Sequence, residues 1–361
     1  VNDERSGMFR LDGVNGNVVI HLDGLVRNSD DFRIPGDAIA AGAADDAHDH
    51  DHDHADGEEH ADEARRGRLG NSSIRTRAGG LGVTWLGEDA FFGVSAGTYR
   101  TNYGIPDGAH VHAGGDDHDH DHDHDDHDDH DHGEEEGHEH DVRIDMVQNR
   151  FDVKGGLYNP TSFLKSINLR AGYTDYEHTE LEAGTPSTRF TNKGIEGRLE
   201  AVQQQIGGWD GAMGLQIGNS DFGAQGEEAF VPNTGTETLG VFVLQQKQFG
   251  PFKLELGGRH DRVKLTPDGA HADRSFGATN LSAAGIWALN DAFDLRFGID
   301  SSERAPTNEE LYAGGAHIAT RSLEIGDASL DTERGQRIEL GLHAHTARVD
   351  VQASIYQTKF K

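Results

Sequence analysis

The sequence outside its two histidine tracts alternates between apolar residues and polar or small residues with a period of two. The clearest stretch is 293–300, where apolar residues hold the odd positions and Asp, Arg or Gly hold the even ones. The same alternation recurs at 167–174, 337–342 and 348–355. A period of two is that of a β-strand whose two faces meet different surroundings. The pattern therefore predicts strands with one apolar face and one polar face.

The connections between these predicted strands alternate in length along the chain. Short turns are predicted at 14–17, 87–90, 158–166, 207–211, 250–252, 290–292 and 346–348. Long connections are predicted at 30–66, 106–141, 182–188, 223–235, 266–275 and 304–333. In an up-and-down arrangement of strands, every second connection emerges at the same end of the sheet. We therefore expect all the long connections at one end.

Short turns at one end, long loops at the other and one aliphatic face per strand are typical of a transmembrane β-barrel. The sequence predicts an all-β fold, an antiparallel transmembrane β-barrel of which about fourteen strands are present. A soluble β-sandwich is the alternative, but its connections would not separate by length. The aromatic content of 7% is thin for the two aromatic girdles of such a barrel.

Two tracts of the sequence alternate histidine with acidic residues, from Ala47 to His60 and from Asp116 to His140. Neutral imidazole suits zinc, copper and nickel, and carboxylates add charge attraction and oxygen ligands. Because the tracts offer almost nothing from which to build a folded frame, we expect many overlapping weak metal sites. The alternative is a pair of solvated loops whose charge only favours solubility. The candidate capture ligands are His48, His50, His52, His54, His60, His118, His120, His122, His124, His127, His130, His132, His138 and His140.

The charge balance of the chain restricts its partners. Lys and Arg number 32 against 64 Asp and Glu, a formal net charge of −32. Phosphate contacts need clustered cations, so nucleic acid is not an expected partner, whereas a cationic cargo is favoured. There is no cysteine, so any metal would be held by nitrogen and oxygen. The sequence contains no nucleophile elbow, phosphate-binding glycine loop or zinc-protease helix, and we do not expect an enzyme.

The segment from Ser302 to Leu342 resembles a late-barrel stretch of TonB-dependent outer-membrane receptors. The residues that carry the resemblance are Arg304, Ala305, Pro306, Glu310, Leu311, Tyr312, Gly326, Asp327, Leu330 and Glu333. The insertion at 315–320, together with the histidine-rich loops, is similar to the zinc-uptake (ZnuD-like) branch of that family. The resemblance implies a bacterial outer-membrane barrel of about 22 strands, with long loops extracellular and an N-terminal plug that contacts the TonB complex.

This resemblance also sets an expected domain organisation. Residues 1–361 would form part of one receptor barrel, with disordered His/Asp-rich extracellular loops at about 30–66 and 106–141. The chain opens in turn-like sequence and stops within an alternating strand. The plug domain and the final strands are therefore expected to lie outside it.

Three residues outside the tracts are candidates for a tighter metal site. His178 and Glu180 have the polar parity of their strand, so both should point into the lumen near the long-loop end. His317 falls in the 304–333 connection at the same end, where the resemblance also implies a metal ligand. Two histidines and a carboxylate can hold zinc with positions left open. We therefore predict a metal site of His317, His178 and Glu180.

The remaining histidines are weaker candidates. His21, His343 and His345 fall on polar faces, but the last two flank a short turn far from the long-loop end. We expect these three to be polar residues that fill the lumen. His271 lies in a long connection and could bind metal weakly.

Together these features predict an outer-membrane receptor that imports zinc. The tracts would capture ions and a site of lumen and loop residues would pass them to the plug. Copper, nickel and cobalt remain open because metal selectivity depends on geometry. The expected partners are the TonB complex, outer-membrane lipid and the divalent ion. Two alternatives are a TonB-dependent receptor for haem or a metal chelate, and a passive metal-buffering surface barrel.

Overall fold

The computed structural model describes residues 2–37, 66–106, 142–226, 229–317, 322–346 and 348–361. The elements are β1 Arg5–Asn15, β2 Val18–Ser29, β3 Phe32–Asp37, β4 Arg66–Leu69, β5 Ile74–Leu86, β6 Ala90–Gly104, β7 Val142–Thr161, β8 Leu164–Glu182, β9 Thr185–Gln203, β10 Trp209–Gly226, β11 Thr234–Phe249, β12 Phe252–Pro267, β13 Arg274–Asn290, β14 Phe293–Arg304, α1 Asn308–Tyr312, β15 Gly314–His317, β16 Ser322–Ile325, β17 Glu333–His345 and β18 Asp350–Phe360.

Fourteen of these strands form one antiparallel sheet in chain order, from β1 and β2 through β5–β14 to β17 and β18. The strand number and the up-and-down order predicted from the alternation are confirmed. Two small hairpins, β3–β4 and β15–β16, lie in connections at the long-loop end. In the described ranges no helix combines the length and the apolar character that a membrane-crossing helix requires.

The two faces of the sheet differ as the alternation predicts. On β14, Phe297 and Ile299 are 45% and 56% exposed although both are apolar. In register beside them, Leu340 and Ile338 of β17 are also exposed. An exposed aliphatic face on an antiparallel sheet suits contact with lipid. Seven exposed aromatic residues lie on or beside the short turns: Trp85, Phe92, Tyr158, Phe163, Phe249, Trp287 and Phe293.

The outward face of β8 changes from apolar to charged beyond Tyr173. Tyr173 lies opposite Ile195 of β9, but at the next outward position Asp175 pairs with Lys193, with 3.7 Å between Oδ2 and Nζ. Ionised side chains are costly in a hydrocarbon layer. The part of β8 after Tyr173 therefore extends beyond the apolar belt, toward the end with the long connections.

One predicted connection length is wrong. Residues 182–188 were expected to form a long connection, but β8 ends at Glu182 and β9 begins at Thr185. Ala183 and Gly184 close the turn with φ values of 46° and 80°, as a tight hairpin requires. The polar residues at 185–188 continue a strand that stands outside the apolar belt, and for that reason they lack the apolar alternation of the other strands.

The two histidine-rich connections are described only at their margins. Strands β3 and β4 pair at the two ends of the predicted 30–66 loop. Residues 38–65 and 107–141, and with them every candidate capture histidine, lie outside the described residues.

Candidate metal site at the long-connection end

An ionic clamp holds the start of the connection between β14 and β17. Nη2 of Arg304 lies 2.7 Å from Glu310 Oε1 and 2.7 Å from Glu333 Oε2. Thr307 caps α1 by accepting from the Glu310 amide, and the Glu310 side chain accepts from the Thr307 amide. This capping box satisfies two backbone donors at the helix start. The Arg304 guanidinium, helped by the Thr307 amide, lowers the pKa of Glu310 to about 2.

Apolar packing fixes the same connection to the sheet. Leu311 and Tyr312 of α1 are buried in a cluster with Leu265 and Phe276. Gly326 passes so close to the helix that a Cβ there would lie 2.7 Å from the Tyr312 amide nitrogen. Only glycine fits at such an approach. Most of the residues that carry the family resemblance are thus the ones that shape this connection.

The folded connection presents His317 at the end of β15. Gly314 donates a backbone hydrogen bond of 2.8 Å to the Phe230 carbonyl. The Phe230 ring also packs against the His317 ring, with 4.7 Å between centroids. The β15–β16 hairpin is therefore tied to the β10–β11 connection, and His317 has a defined position at the end of the lumen.

The His317 imidazole lies between two carboxylates. Its Nδ1 is 2.9 Å from Glu324 Oε1, and its Nε2 is 3.6 Å from Glu180 Oε1. An ionised carboxylate only accepts hydrogen bonds, so Nδ1 carries the proton shared with Glu324. In the neutral imidazole, which is the form that binds metal, the lone pair of Nε2 is then directed to the side of Glu180. A carboxylate on the far nitrogen is how proteins orient histidines that bind metal.

Glu180 is a buried carboxylate. It is 2% exposed, and its Oε2 has no hydrogen-bond partner among the described residues. Burial raises the pKa of this carboxyl, while His317 opposes the rise. A buried polar atom without a partner costs about 1–3 kcal/mol. A cation bound by His317 and by both carboxylate oxygens of Glu180 would remove that cost and fit the donor set, one imidazole nitrogen with carboxylate oxygen.

Aromatic rings surround this pair. Phe190, which is 6% exposed, lies 6.4 Å from the His317 ring and 6.2 Å from Phe230. Phe222 completes the group at 6.3 Å from Phe190. Apolar walls exclude water, and electrostatic attraction between an ion and its ligands is stronger where water is excluded.

His178 is separated from His317 and Glu180 by the Phe190 ring. It stacks on Phe190, with 4.7 Å between centroids, and its Nδ1 shares a 3.0 Å hydrogen bond with the Tyr176 hydroxyl. Burial, with the charge of His317 as a smaller cause, lowers the pKa of His178. In the described part of the chain the three predicted ligands do not form a group whose ligand atoms all lie within 4.8 Å of one another. The structure thus brings His317 and Glu180 together and leaves His178 behind Phe190.

Sequence reasoning missed Glu324 and the aromatic wall. Glu324 reaches His317 because β15 and β16 pair with His317 opposite Ser322, which places residue 324 on the same face. These strands have only four residues each, too few to show an alternation. Phe190 lies on the inner face of β9 opposite His178. Its position could not be predicted because residues 182–188 were expected to form a long connection rather than a tight turn between paired strands.

The antiparallel sheet with its apolar outer face is the arrangement of a membrane barrel, and the carboxylate–histidine pair at the long-connection end of its inner face is a candidate cation site. Residues 52–361 match the family model "TonB dependent receptor-like, beta-barrel". The chain belongs to that family. Its predicted class, an all-β transmembrane barrel, is confirmed. Barrels of this family are outer-membrane proteins, and the family consists of receptors and transporters rather than enzymes.

Solved structures show the same barrel fold. The copper transporter OprC is 14% identical, with a TM-score of 0.68 over 99% of this chain and 52% of that one. The FrpB iron transporter from Neisseria meningitidis (F3-3 variant) is 14% identical, with a TM-score of 0.69 over 100% and 52%. A double mutant of the Serratia marcescens hemophore receptor HasR, in complex with HasA and heme, is 14% identical, with a TM-score of 0.69 over 98% and 52%. The chain spans about half the length of each.

Proposed function

We propose that this chain forms barrel wall in an outer-membrane receptor that imports a divalent transition metal, with zinc as the first choice of cargo. The observation that carries the proposal is the contact between His317 Nε2 and Glu180 Oε1, 3.6 Å apart inside an aromatic enclosure. Ligands of a tetrahedral zinc ion with bonds of about 2.0–2.1 Å lie roughly 3.3 Å from each other. The distance between His317 Nε2 and Glu180 Oε1 therefore has to shorten by only a few tenths of an ångström for both atoms to bind one zinc ion, roughly to the 3.3 Å given above.

The proposed first stage is capture by the two histidine tracts. Both belong to connections that leave the sheet at the same end as the pocket of His317 and Glu180, and this end would face the cell exterior. The net charge of −32 favours accumulation of cations at the mouth. Each tract site is weak and exchanges its ion quickly, so capture would supply the tighter pocket. Because imidazole must be neutral to bind, capture should weaken as the pH falls through about 6.5.

The proposed second stage passes the ion through the lumen. A plug domain, moved by the TonB complex, would take the ion from His317 and Glu180 and release it toward the periplasm. The apolar outer face of the sheet would contact outer-membrane lipid. Membership of the TonB-dependent receptor family supports these partners, and the contact between His317 and Glu180 supports a start of the transfer at that pair.

Copper is the second candidate cargo, on one specific observation. Met146 of β7 lies directly opposite His178 of β8, and directly opposed side chains on one face have Cβ atoms about 4.5–5.5 Å apart. Thioether sulfur favours copper(I) over zinc. If copper is the cargo, replacing Met146 with Leu should lower copper uptake and leave the zinc response unchanged.

Uptake of radiolabelled zinc by cells that express the native gene tests the proposal. The variants are His317→Ala and a form without both tracts, and the matched control is His260→Gln, an exposed histidine bonded to Thr279. We expect energy-dependent uptake in the native and control cells, its loss in His317→Ala, and weaker uptake without the tracts only when zinc is scarce. Uptake in all strains equal to that of cells without the gene would overturn zinc import and direct the same assay to haem and metal chelates.

A further inference from the structure

A second group of histidines and carboxylates lies at the opposite end of the lumen. Asp350 is the centre of this group. Its Oδ1 and Oδ2 lie 3.2 and 3.3 Å from His343 Nε2, and its Oδ2 lies 2.8 Å from His345 Nδ1. Within the described ranges, His343, His345 and Asp350 are the group of three whose ligand atoms all lie within 4.8 Å of one another. These separations are close to the roughly 3.3 Å edge of a tetrahedron around zinc.

The strand register places these side chains together on the inner face. His345 lies opposite Asp350 across the β17–β18 turn, and His343 lies opposite Asp294 of β14. Val351 and Ala344, one position away, have the outward parity. The group therefore requires only three neighbouring strands of the wall and the short turn between two of them.

His343 is oriented by an outer carboxylate. Its Nδ1 lies 2.8 Å from Asp294 Oδ2, and Asp294 is itself held by Arg296, whose Nε donates to Oδ1 at 2.7 Å. Arg296 Nη2 also lies 3.4 Å from the same Nδ1, but the shorter contact with an acceptor assigns the Nδ1 proton to Asp294. The lone pair of Nε2 then faces Asp350. In the neutral imidazole these two acceptors repel each other, and either a proton or a metal cation between them removes the repulsion.

We infer that His343, His345 and Asp350 form a second site for a divalent transition metal at the short-turn end of the lumen, with Asp294 as the residue that positions His343. The donor set, two imidazole nitrogens and a carboxylate, suits zinc, copper or nickel.

Histidine footprinting of the intact protein can test this inference despite the many tract histidines. Cleavage after Arg337 and Arg348 gives one peptide that contains His343 and His345 and no other histidine. Cleavage after Arg10 and Arg27 gives a peptide in which His21 is the sole histidine. His21 is the matched control because it contacts two carboxylates, Asp12 at 2.6 Å and Asp23 at 2.9 Å, on the same side of the sheet.

The protein would be modified with diethylpyrocarbonate with and without zinc, digested and analysed by mass spectrometry. Zinc should slow modification of the 338–348 peptide by about 1 + [Zn]/Kd, roughly tenfold at zinc well above Kd. The His21 peptide should change less than about twofold. Asp350→Asn and His345→Gln should each remove the protection at His343. Gel mobility before and after heating would confirm that each variant is folded.

The outcomes separate this site from the pocket of His317 and Glu180. The peptide from 305 to 321 contains His317 as its sole histidine. Protection of His317 without protection of 338–348 would overturn the second site and leave the proposed importer intact. Protection of 338–348 without protection of His317 would support the second site and overturn the pocket. Equal protection of His21 and 338–348, or full protection in Asp350→Asn, would also overturn the second site.

Discussion

The two ends of the lumen hold a similar arrangement of groups in different surroundings. At the long-connection end, a carboxylate on Nδ1 directs the Nε2 of His317 toward Glu180. At the short-turn end, Asp294 directs the Nε2 of His343 toward Asp350 in the same way. Phe190 and Phe230 enclose the pair of His317 and Glu180, whereas the group around Asp350 lies on strands β17 and β18 and beside their short turn. Attraction between charges is stronger where water is excluded, so the first pocket should hold an ion more tightly than the second.

The two ends also differ in how they are assembled. The pocket of His317 depends on a folded connection, because β15 and β16 must be positioned by α1 and by the Phe230 contact. The group around Asp350 depends only on the register of β14, β17 and β18. Changes that loosen the connection should therefore affect one end of the lumen and leave the other unchanged.

The largest effect should come from Glu180→Gln. The amide keeps the shape of the side chain but removes the anionic oxygen beside His317. We expect zinc affinity at His317 to fall by roughly 100-fold or more. This loss exceeds the roughly 10–100-fold that is typical when a residue that only hydrogen-bonds to a metal ligand is replaced. Zinc titration followed by footprinting of the 305–321 peptide measures it. The 338–348 peptide serves as the internal control, and an equal loss at both peptides would show that the ends are not independent.

Glu324→Gln should have the next largest effect. Glu324 orients the His317 ring through the 2.9 Å contact with Nδ1, the nitrogen opposite the one that faces Glu180. Its loss should lower zinc affinity at His317 by about 10–100-fold. Glu309→Gln, which removes a carboxylate from α1 outside the clamp, is the control. Affinity unchanged in Glu324→Gln would mean that Glu324 does not orient the ligand.

Thr307→Ala should weaken the connection without touching either group of ligands. Loss of the helix cap typically costs about 1 kcal/mol. Hydrogen exchange should become faster at the amides of α1 and its following residue, while amides of β17 keep their rates. Unchanged exchange in α1 would show that the ionic clamp and apolar packing hold the helix without the cap.

Acidification should have the smallest and most local effect. The folded-state pKa of Glu310 is about 2, below the ordinary value of 4.5. The stabilisation that the Glu310 carboxylate gives the connection is therefore complete above about pH 4.5 and is lost as the pH falls toward 2. Exchange of the α1 amides, corrected for intrinsic rates, should increase over this window. In Glu310→Gln the faster exchange should already be present at pH 7, and a native profile without this increase would contradict the assignment.

Much of the fold was predictable because lipid and lumen impose opposite demands on successive residues. That alternation identified fourteen strands and placed His178 and Glu180 on the inner face near the long connections. The β8–β9 turn was not predictable, because the strands beyond Tyr173 no longer meet lipid and lose the pattern. The period-two alternation predicts strands inside the apolar belt, where one face meets lipid, and fails to predict them outside the belt, where neither face does.

The site was predictable in part. Parity and loop assignment brought His317 near Glu180, but nothing in the sequence indicates that Phe190 would stand between the pair and His178. Asp350 is a different case. His345 and Asp350 flank a short turn at equivalent positions of the two strands, and residues directly opposite each other in a hairpin point to the same face. Applying this rule to the sequence would have predicted that the two side chains lie together.

A double-mutant cycle on zinc uptake tests the central claim, that His317 and Glu180 hold the same ion. Initial uptake rates at limiting zinc would be measured for the native protein, His317→Gln, Glu180→Gln and the double variant, with equal amounts of folded receptor in the outer membrane. If both residues bind one ion, each single change removes most of the uptake and the double variant is little worse than either, because coupled residues give non-additive losses. Losses that multiply independently would contradict the shared site.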